Sequence, residues 1–218
     1  IYALGLTEVL LPPLSLPSSL VGELSVDIQK AVGFNSAVLF APSHDTASAV
    51  CACPMADNDL YISSGTWSLI GTEITEPILN DNARKLNFTN EGGIDYRFRF
   101  LKNYMGMWLF QNIRRNLNKS MTYDEMMELA KNCSEYKYFD VNDSTLVAPK
   151  NMIDAIGKLI GSDDLGLILN SAYHSLAKSY SEAVTEIEAV TGKRFDAIHI
   201  VGGGCQDKYL NALTRDYT

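Results

Sequence analysis

The sequence predicts an α/β protein in which short buried strands alternate with amphipathic helices. Apolar runs bounded by turn residues, at 38–40, 60–71 and 195–201, are typical of strands. Apolar residues at helical spacing follow or separate these runs, most clearly over 164–190. A chain of 218 residues that is 46% hydrophobic and 20% charged can form one large domain or parts of two.

The composition argues against several classes of partner. Nucleic-acid or anionic-membrane binding requires clustered Lys and Arg, whereas the net charge is −8 and basic residues cluster only at Arg114, Arg115 and Lys119. No uninterrupted apolar run has the length of a transmembrane helix, and the apolar start lacks the basic region of a signal peptide. We therefore expect a cytoplasmic protein without nucleic-acid or membrane partners.

The four cysteines do not have the spacing of a zinc site. Cys51, Cys53, Cys133 and Cys205 lack the paired C-x-x-C arrangement. We expect them to be reduced thiols in the core, and we assign no metal ligands from the sequence.

A carboxylate lies where the first strand meets a helix of small residues, within 37–51. Residues 38–40 are expected to form a buried strand, and Ser43 or Asp45 can cap the helix after Pro42. Free backbone N–H groups and the positive end of the helix dipole favour an anion there, which suits Asp45 as an ionised general base. A plain helix cap is the alternative interpretation.

Two turns have the composition of phosphate or nucleotide contacts. A hairpin is predicted over 60–71, and the small polar residues of its turn, 63–66, would let backbone N–H groups approach a phosphate; a plain hairpin turn is the alternative. The strand 195–201 ends in three glycines before a helix, an arrangement that can bring backbone against a nucleotide. The glycine spacing fits neither a P-loop nor the dinucleotide fingerprint, which argues against a Rossmann-like oxidoreductase.

The remaining segments are predicted as structural elements. Residues 80–90 are expected to form a loop or an excursion at the sheet edge, and 91–100 a half-exposed strand with Arg97 and Arg99 facing solvent. Trp67 is expected in the core. Helices are predicted over 105–117, after the capping box that begins at Thr122, and over 152–160 and 164–190.

Five motifs taken together resemble the FGGY family of carbohydrate kinases. In chain order they are Ser43-His-Asp-Thr-Ala-Ser-Ala-Val50, Ser63-Ser-Gly-Thr-Trp-Ser-Leu69, Thr89-Asn-Glu-Gly-Gly93, the stretch from Leu101 to Gln111, and Ile200-Val-Gly-Gly-Gly-Cys-Gln206. The resemblance implies ribonuclease-H-like α/β domains of the actin, hexokinase and Hsp70 type, with a mixed sheet and flanking helices. It implies that residues 1–56 are the tail of the N-terminal domain and 57–218 most of the C-terminal one, as in a fragment lacking both ends of the family's chain.

The resemblance also implies a reaction and roles for individual residues. ATP, with Mg²⁺, would phosphorylate the primary hydroxyl of a ketose, and Asp45 would be the general base. His44, Thr46 and Asn103 would contact the sugar together with Asp45. The ATP contacts would be Thr66, Gln111, Gly202, Gly203 and Gly204.

The motifs around Asp45 and Asn103 favour L-rhamnulose as the sugar over xylulose, fuculose, gluconate or glycerol. The implied partners are small molecules and the missing segments of the chain itself, and the implied assembly is a monomer or homodimer. A sugar-binding or nucleotide-binding module of the same fold without turnover is the alternative.

Overall fold

The computed structural model describes residues 2–10, 12–42 and 44–218. The helices are α1 (Val26–Val32), α2 (Asp45–Cys51), α3 (Asp81–Lys85), α4 (Trp108–Asn116), α5 (Tyr123–Lys131), α6 (Met152–Ile160), α7 (Leu165–Thr191) and α8 (Lys208–Tyr217). The strands are β1 (Leu20–Glu23), β2 (Ala37–Leu39), β3 (Asp59–Ser64), β4 (Trp67–Ile74), β5 (Thr89–Gly92), β6 (Phe98–Met105) and β7 (Ala197–Val201). Short 3₁₀ turns occupy Tyr2–Leu4, Glu8–Leu10, Ser144–Leu146 and Gly203–Gln206.

A five-stranded mixed sheet in the order β5-β6-β4-β3-β7 organises most of the chain. Strands β3, β4, β6 and β5 pair antiparallel with their neighbours, whereas β7 pairs parallel with β3. A parallel pair requires a long crossover, and helices α4 to α7 lie in the segment between β6 and β7. This architecture confirms the predicted α/β class with a mixed sheet and flanking helices.

One face of the sheet forms the main core with the long helix α7. Leu60, Ile62, Ile70 and Phe100 from the strands are fully buried with Leu176 from α7. The Tyr180 hydroxyl of α7 lies 2.6 Å from Ser68 Oγ of β4, which satisfies both polar groups inside this core.

The opposite face of the sheet packs against α2 and carries charged residues. Val50 of α2 forms a small apolar cluster with Tyr61 and Leu101. Arg99, predicted to face solvent, is only 2% exposed, so that prediction is wrong. Strand alternation identifies two faces, but it does not tell which face the rest of the chain covers.

The helices with strong end signals form where the sequence predicts them. Asn151 and Asp164 accept backbone N–H groups at the starts of α6 and α7, and Gly161 and Gly192 end these helices with positive φ. Thr122 and Glu125 make both hydrogen bonds of the capping box at α5.

Several other predictions are wrong in detail. Strand β2 pairs only with β1 in a separate two-stranded sheet, and Leu39 is exposed rather than buried. The segment 80–90 contains α3 and the start of β5 instead of a loop. Strand β6 extends to Met105, so α4 begins at Trp108. Cys51 and Cys205 are exposed and Cys53 and Cys133 are half-buried, so none of the four is a core thiol, although all four are free.

Within the described ranges, no helix combines the length and hydropathy that crossing a bilayer requires.

Candidate functional site

The turn between β3 and β4 is held against the start of α4. The carbonyl oxygens of Gly65 and Thr66 accept the backbone N–H groups of Met107 and Trp108 at 2.9 and 3.0 Å. A Cβ on Gly106 would lie 2.7 Å from the Trp67 carbonyl carbon, so only glycine allows this contact. The turn brings Thr66 Oγ1 to 3.3 Å from Gln111 Oε1, which accepts its hydrogen bond.

The glycine turn after β7 packs directly on the end of β3. A Cβ on Gly202 would lie 2.7 Å from Ser64 O, and one on Gly204 would overlap the Ser64 side chain. Gly203 differs, because no atom lies within 4 Å of its Cβ position. The backbone of this turn therefore approaches β3 as closely as glycines allow, with free space beside Gly203.

Asp207 fixes the start of α8 and ties it to α7. Its Oδ1 accepts the backbone N–H groups of Tyr209 and Leu210, and its Oδ2 accepts the Tyr173 hydroxyl at 2.7 Å. Burial, followed by the adjacent Asp207 carboxylate, raises the pKa of Tyr173 above its usual range, so this hydroxyl remains a donor. The glycine turn is thereby anchored at its helical end.

Asp45 is the first residue of α2. The N-cap is His44, whose Nδ1 accepts the Thr46 N–H at 3.3 Å, and Asp45 Oδ1 accepts the same N–H at 2.7 Å. Asp45 is therefore not the N-cap, and Ser43, the other predicted cap, lies outside the described residues. The Asp45 side chain is 94% exposed, so its carboxylate is accessible to a ligand.

Two adjoining clefts contain the residues predicted to bind ligands. The α2 cleft, about 540 Å³, is lined by seven of them: His44, Asp45, Thr46, Thr66, Asn103, Gly202 and Gly203. The α5 cleft, about 510 Å³, is lined by Gln111 and Gly204 together with Thr122, Tyr123 and Met127 of the α5 region. Gly65 and Gly203 line both clefts, so the clefts meet at the two turns described above.

Residues without a predicted ligand role also line the α2 cleft. Trp67, expected in the core, is 45% exposed there, so that expectation is wrong. It directly follows the hairpin turn, a position that could have indicated an accessible side chain. Glu91 lines the same cleft, and its presence in the Thr89-Asn-Glu-Gly-Gly93 motif was the available signal.

Solved sugar kinases share this fold. Gluconate kinase from Lactobacillus acidophilus superposes with a TM-score of 0.68 at 12% identity, covering 99% of this chain and 45% of that one. A ligand-bound xylulose kinase from the same organism gives 0.68 at 13% identity with the same coverage. Identities this low establish the fold alone, which is that of the actin and hexokinase type.

The sequence comparisons define the family. The family model described as "FGGY family of carbohydrate kinases, C-terminal domain" matches residues 60–218, and the chain belongs to this family. It is 41% identical over 224 residues to a rhamnulokinase from Halalkalibacterium halodurans, covering 100% of this chain and 48% of that protein. It is 33% identical over 221 residues to a rhamnulokinase from Bacteroides thetaiotaomicron, covering 97% of this chain and 45% of that protein. The chain thus spans about half the length of the curated relatives that it matches.

Proposed function

We propose that this chain supplies sugar-binding and ATP-binding residues to a kinase that phosphorylates the primary hydroxyl of a ketose. The observation that carries the proposal is the junction of the α2 and α5 clefts at Gly65 and Gly203, with an exposed carboxylate in the α2 cleft and a glycine turn that borders both clefts. L-Rhamnulose is the proposed sugar, to give L-rhamnulose 1-phosphate, because the chain is 33–41% identical to rhamnulokinases.

In this proposal the α2 cleft binds the ketose. Asp45 accepts the proton of the primary hydroxyl as the hydroxyl oxygen attacks the γ-phosphate in line. Asp45 suits this role because its carboxylate is accessible and only Oδ1 is hydrogen-bonded to the Thr46 N–H. His44, Thr46 and Asn103 line the same cleft and would orient the sugar.

The α5 cleft fits the nucleotide. Met107, Met127 and Tyr123 offer apolar surface for the adenine, and the Gly203 backbone borders both clefts with free space where a side chain would stand. Thr66 would contact the phosphates, Gln111 would lie near the nucleotide, and the glycines at 202–204 would lie beneath the adenosine.

Mg²⁺ would be held mainly by the ATP phosphates. Across the described residues there is no group of three or more His, Cys, Asp or Glu side chains that could hold a metal ion. Mg²⁺ commonly binds through substrate phosphates and water with one or two carboxylates, so this donor set is compatible with a nucleotide-borne ion. When bound, it would neutralise charge on the phosphates.

We further propose that residues 1–56 belong to an N-terminal kinase domain and residues 57–218 to the C-terminal one. The family match, which begins at residue 60, supports this boundary. The separate β1–β2 sheet also supports it, since these strands do not join the main sheet.

A coupled assay of ADP release with the full-length protein tests the proposed function. ADP release should depend on both ATP and sugar, with L-rhamnulose giving the highest kcat/KM in a panel that includes xylulose, fuculose, gluconate and glycerol. A higher value for another sugar would change the substrate and retain the kinase. Sugar binding without ADP release from any of them would instead identify a non-catalytic module.

A further inference from the structure

The α2 cleft is lined by two carboxylates, and only Asp45 has a role in the proposed reaction. The other is Glu91, on the edge strand β5. We propose that Glu91 is a sugar-binding residue that accepts hydrogen bonds from acceptor hydroxyls away from the phosphorylated end, and that Arg99 is its positioning residue. This inference rests on the proposed sugar-kinase function.

Arg99 holds the Glu91 carboxylate in place through a hydrogen-bonded ion pair. Glu91 and Arg99 are directly opposite each other in the β5–β6 ladder, and Arg99 Nη2 donates to Glu91 Oε2 at 2.9 Å. Arg99 Nε also donates to the Gly92 carbonyl oxygen at 3.3 Å. The Arg99 side chain is 3% exposed, whereas that of Glu91 is 34% exposed. A ligand can therefore reach the carboxylate of the pair but not its guanidinium.

Neutralising the charge of Arg99 is not sufficient to explain why a glutamate stands at position 91. Glu73 of β4 lies opposite Arg99 on the other side, and its ion pair is with Arg97 Nε at 3.9 Å. Burial raises the pKa of Glu73, and the charges of Arg97 and then Arg99 oppose that rise. A second acidic group is therefore already close to the buried guanidinium. Glu91 differs from Glu73 in lining the α2 cleft.

The sheet register places Glu91 away from the two turns where the clefts meet. Arg99 and Asn103 lie on the same face of β6, roughly 13 Å apart along the strand at 3.3 Å per residue. Asn103 is opposite Leu69, close to the β3–β4 turn, while Glu91 is opposite Arg99. In the proposed binding mode, the reacting hydroxyl of the sugar lies near that turn and its other hydroxyls lie along the cleft towards Glu91.

A carboxylate in this position selects for hydroxyl groups. Ionised acceptors form stronger hydrogen bonds than neutral ones, and an acceptor left without its donor in a closed cleft is costly. Sites built to hydrogen-bond a hydroxyl reject analogues that lack it much more strongly than apolar pockets reject added groups. Glu91 would thus contribute to sugar affinity and to the choice among ketoses.

The test compares Glu91→Gln with Glu73→Gln in the full-length protein. Both substitutions remove one charge near Arg99 at nearly constant shape, but only Glu91 lines the cleft. We expect Glu91→Gln to raise the KM and the calorimetric Kd for L-rhamnulose about 10-fold, with the KM for ATP within about 2-fold. Glu73→Gln should leave the sugar KM within about 2-fold. Thermal unfolding of both variants reports any loss of structure.

Ketose analogues that each lack one hydroxyl provide a second measurement. The effect of Glu91→Gln should fall to about 2-fold or less on the analogue without the hydroxyl that Glu91 binds, because the interaction is then already absent. Equal effects on every analogue, or equal sugar KM values for the two variants, would overturn the proposal. If the wild-type protein binds sugar without turnover, the kinase proposal fails, and the calorimetric Kd values still decide the role of Glu91.

Discussion

At the scale of single residues, Asp45 combines accessibility with a fixed orientation. Its Oδ1 is hydrogen-bonded to the Thr46 N–H, while the side chain as a whole is 94% exposed. A general base must reach the proton that it accepts, and this exposed carboxylate can be reached by a bound hydroxyl. The local geometry thus supports the role that the sequence motif predicts.

Replacement of this base should affect turnover more than nucleotide binding. We expect Asp45→Asn in the full-length protein to lower kcat by about 10²–10⁴-fold, because the amide cannot accept the hydroxyl proton. The KM for ATP should change little, since Asp45 is proposed to contact the sugar and is not among the proposed ATP contacts. Steady-state kinetics with both substrates measures the two effects. Near-normal turnover would show that Asp45 is not the general base and serves only at the start of the helix.

Asp59 should contribute to acid sensitivity. Its Oδ2 accepts the Ala56 N–H at 2.8 Å and lies 2.8 Å from His199 Nε2, and these two contacts lower its pKa. A carboxyl group with a lowered folded-state pKa stabilises the fold above its unfolded value of about 3.9 and loses that contribution as the pH falls through the folded value.

We therefore expect Asp59→Asn to reduce the difference in unfolding free energy between pH 6 and pH 3. Urea unfolding at the two pH values measures this difference. Glu76→Gln, at an exposed position beyond β4, should retain the wild-type difference. An unchanged difference in Asp59→Asn would show that other groups dominate acid unfolding.

Residues at element ends were the most predictable part of the candidate site. Asp45, Thr66 and Gly203 lie where strands give way to turns or helices, and such positions have local sequence signals. The cleft position of Glu91 depends on the pairing of β5 with β6, which no local pattern specifies. Trp67 was misassigned because size and hydrophobicity favour burial, whereas its position beside the turn leaves it accessible.

At the scale of elements, the contact between the hairpin turn and α4 assembles both clefts. Gly106 permits this contact, because a Cβ there would lie within 2.8 Å of backbone atoms of Trp67, Gly65 and Ser68. Backbone cannot move aside as a flexible side chain can. The turn and the helix must therefore separate if residue 106 gains a side chain.

Gly106→Ala should consequently weaken both stability and nucleotide binding. We expect a loss of about 1–3 kcal/mol in unfolding free energy from overpacking. The KM for ATP should rise by about 10-fold or more as Thr66 moves away from Gln111. Urea unfolding and steady-state kinetics measure the two effects. Gly92→Ala, where no atom lies within 4 Å of the added Cβ, is the matched control and should be mild in both assays.

Elements with clear sequence signals at their ends are the ones that the sequence predicts most accurately. Helices α6 and α7 have polar caps at their starts and glycines at their ends, and they were predicted to within a residue. Strand β6 is misplaced because the predicted strand 91–100 spans the end of β5, the turn and the start of β6, with the aromatic alternation beginning inside that turn at Tyr96. The partner of β2 could not be predicted, since an apolar run does not specify whether it joins a large sheet or a small one.

At the scale of the whole molecule, the exposure of Asp45 and the share of its relatives that the chain spans bear on the proposed reaction. Asp45 is largely exposed, and the chain spans about half the length of its curated relatives. Phosphoryl transfer depends on positioning and charge stabilisation on all sides of the phosphates. We therefore expect residues 1–218 alone to show no measurable sugar-dependent ATP consumption, while weak nucleotide binding at the α5 cleft persists.

Calorimetry with ATP and the coupled ADP-release assay with L-rhamnulose measure these two properties of the isolated chain. The full-length protein in the same assays is the control. Robust turnover by the 218-residue chain would show that it contains every group that the reaction requires.

Because Gly65 and Gly203 border both clefts, we expect the proposed binding of sugar and of nucleotide to be coupled. Any shift of these two turns that one ligand stabilises changes the shape presented to the other. Thermodynamic reciprocity then requires that the factor by which sugar alters ATP affinity equals the factor by which ATP alters sugar affinity. The equilibrium occupancy does not depend on the order in which the two ligands arrive, and under this coupling each ligand sets the affinity that the other encounters.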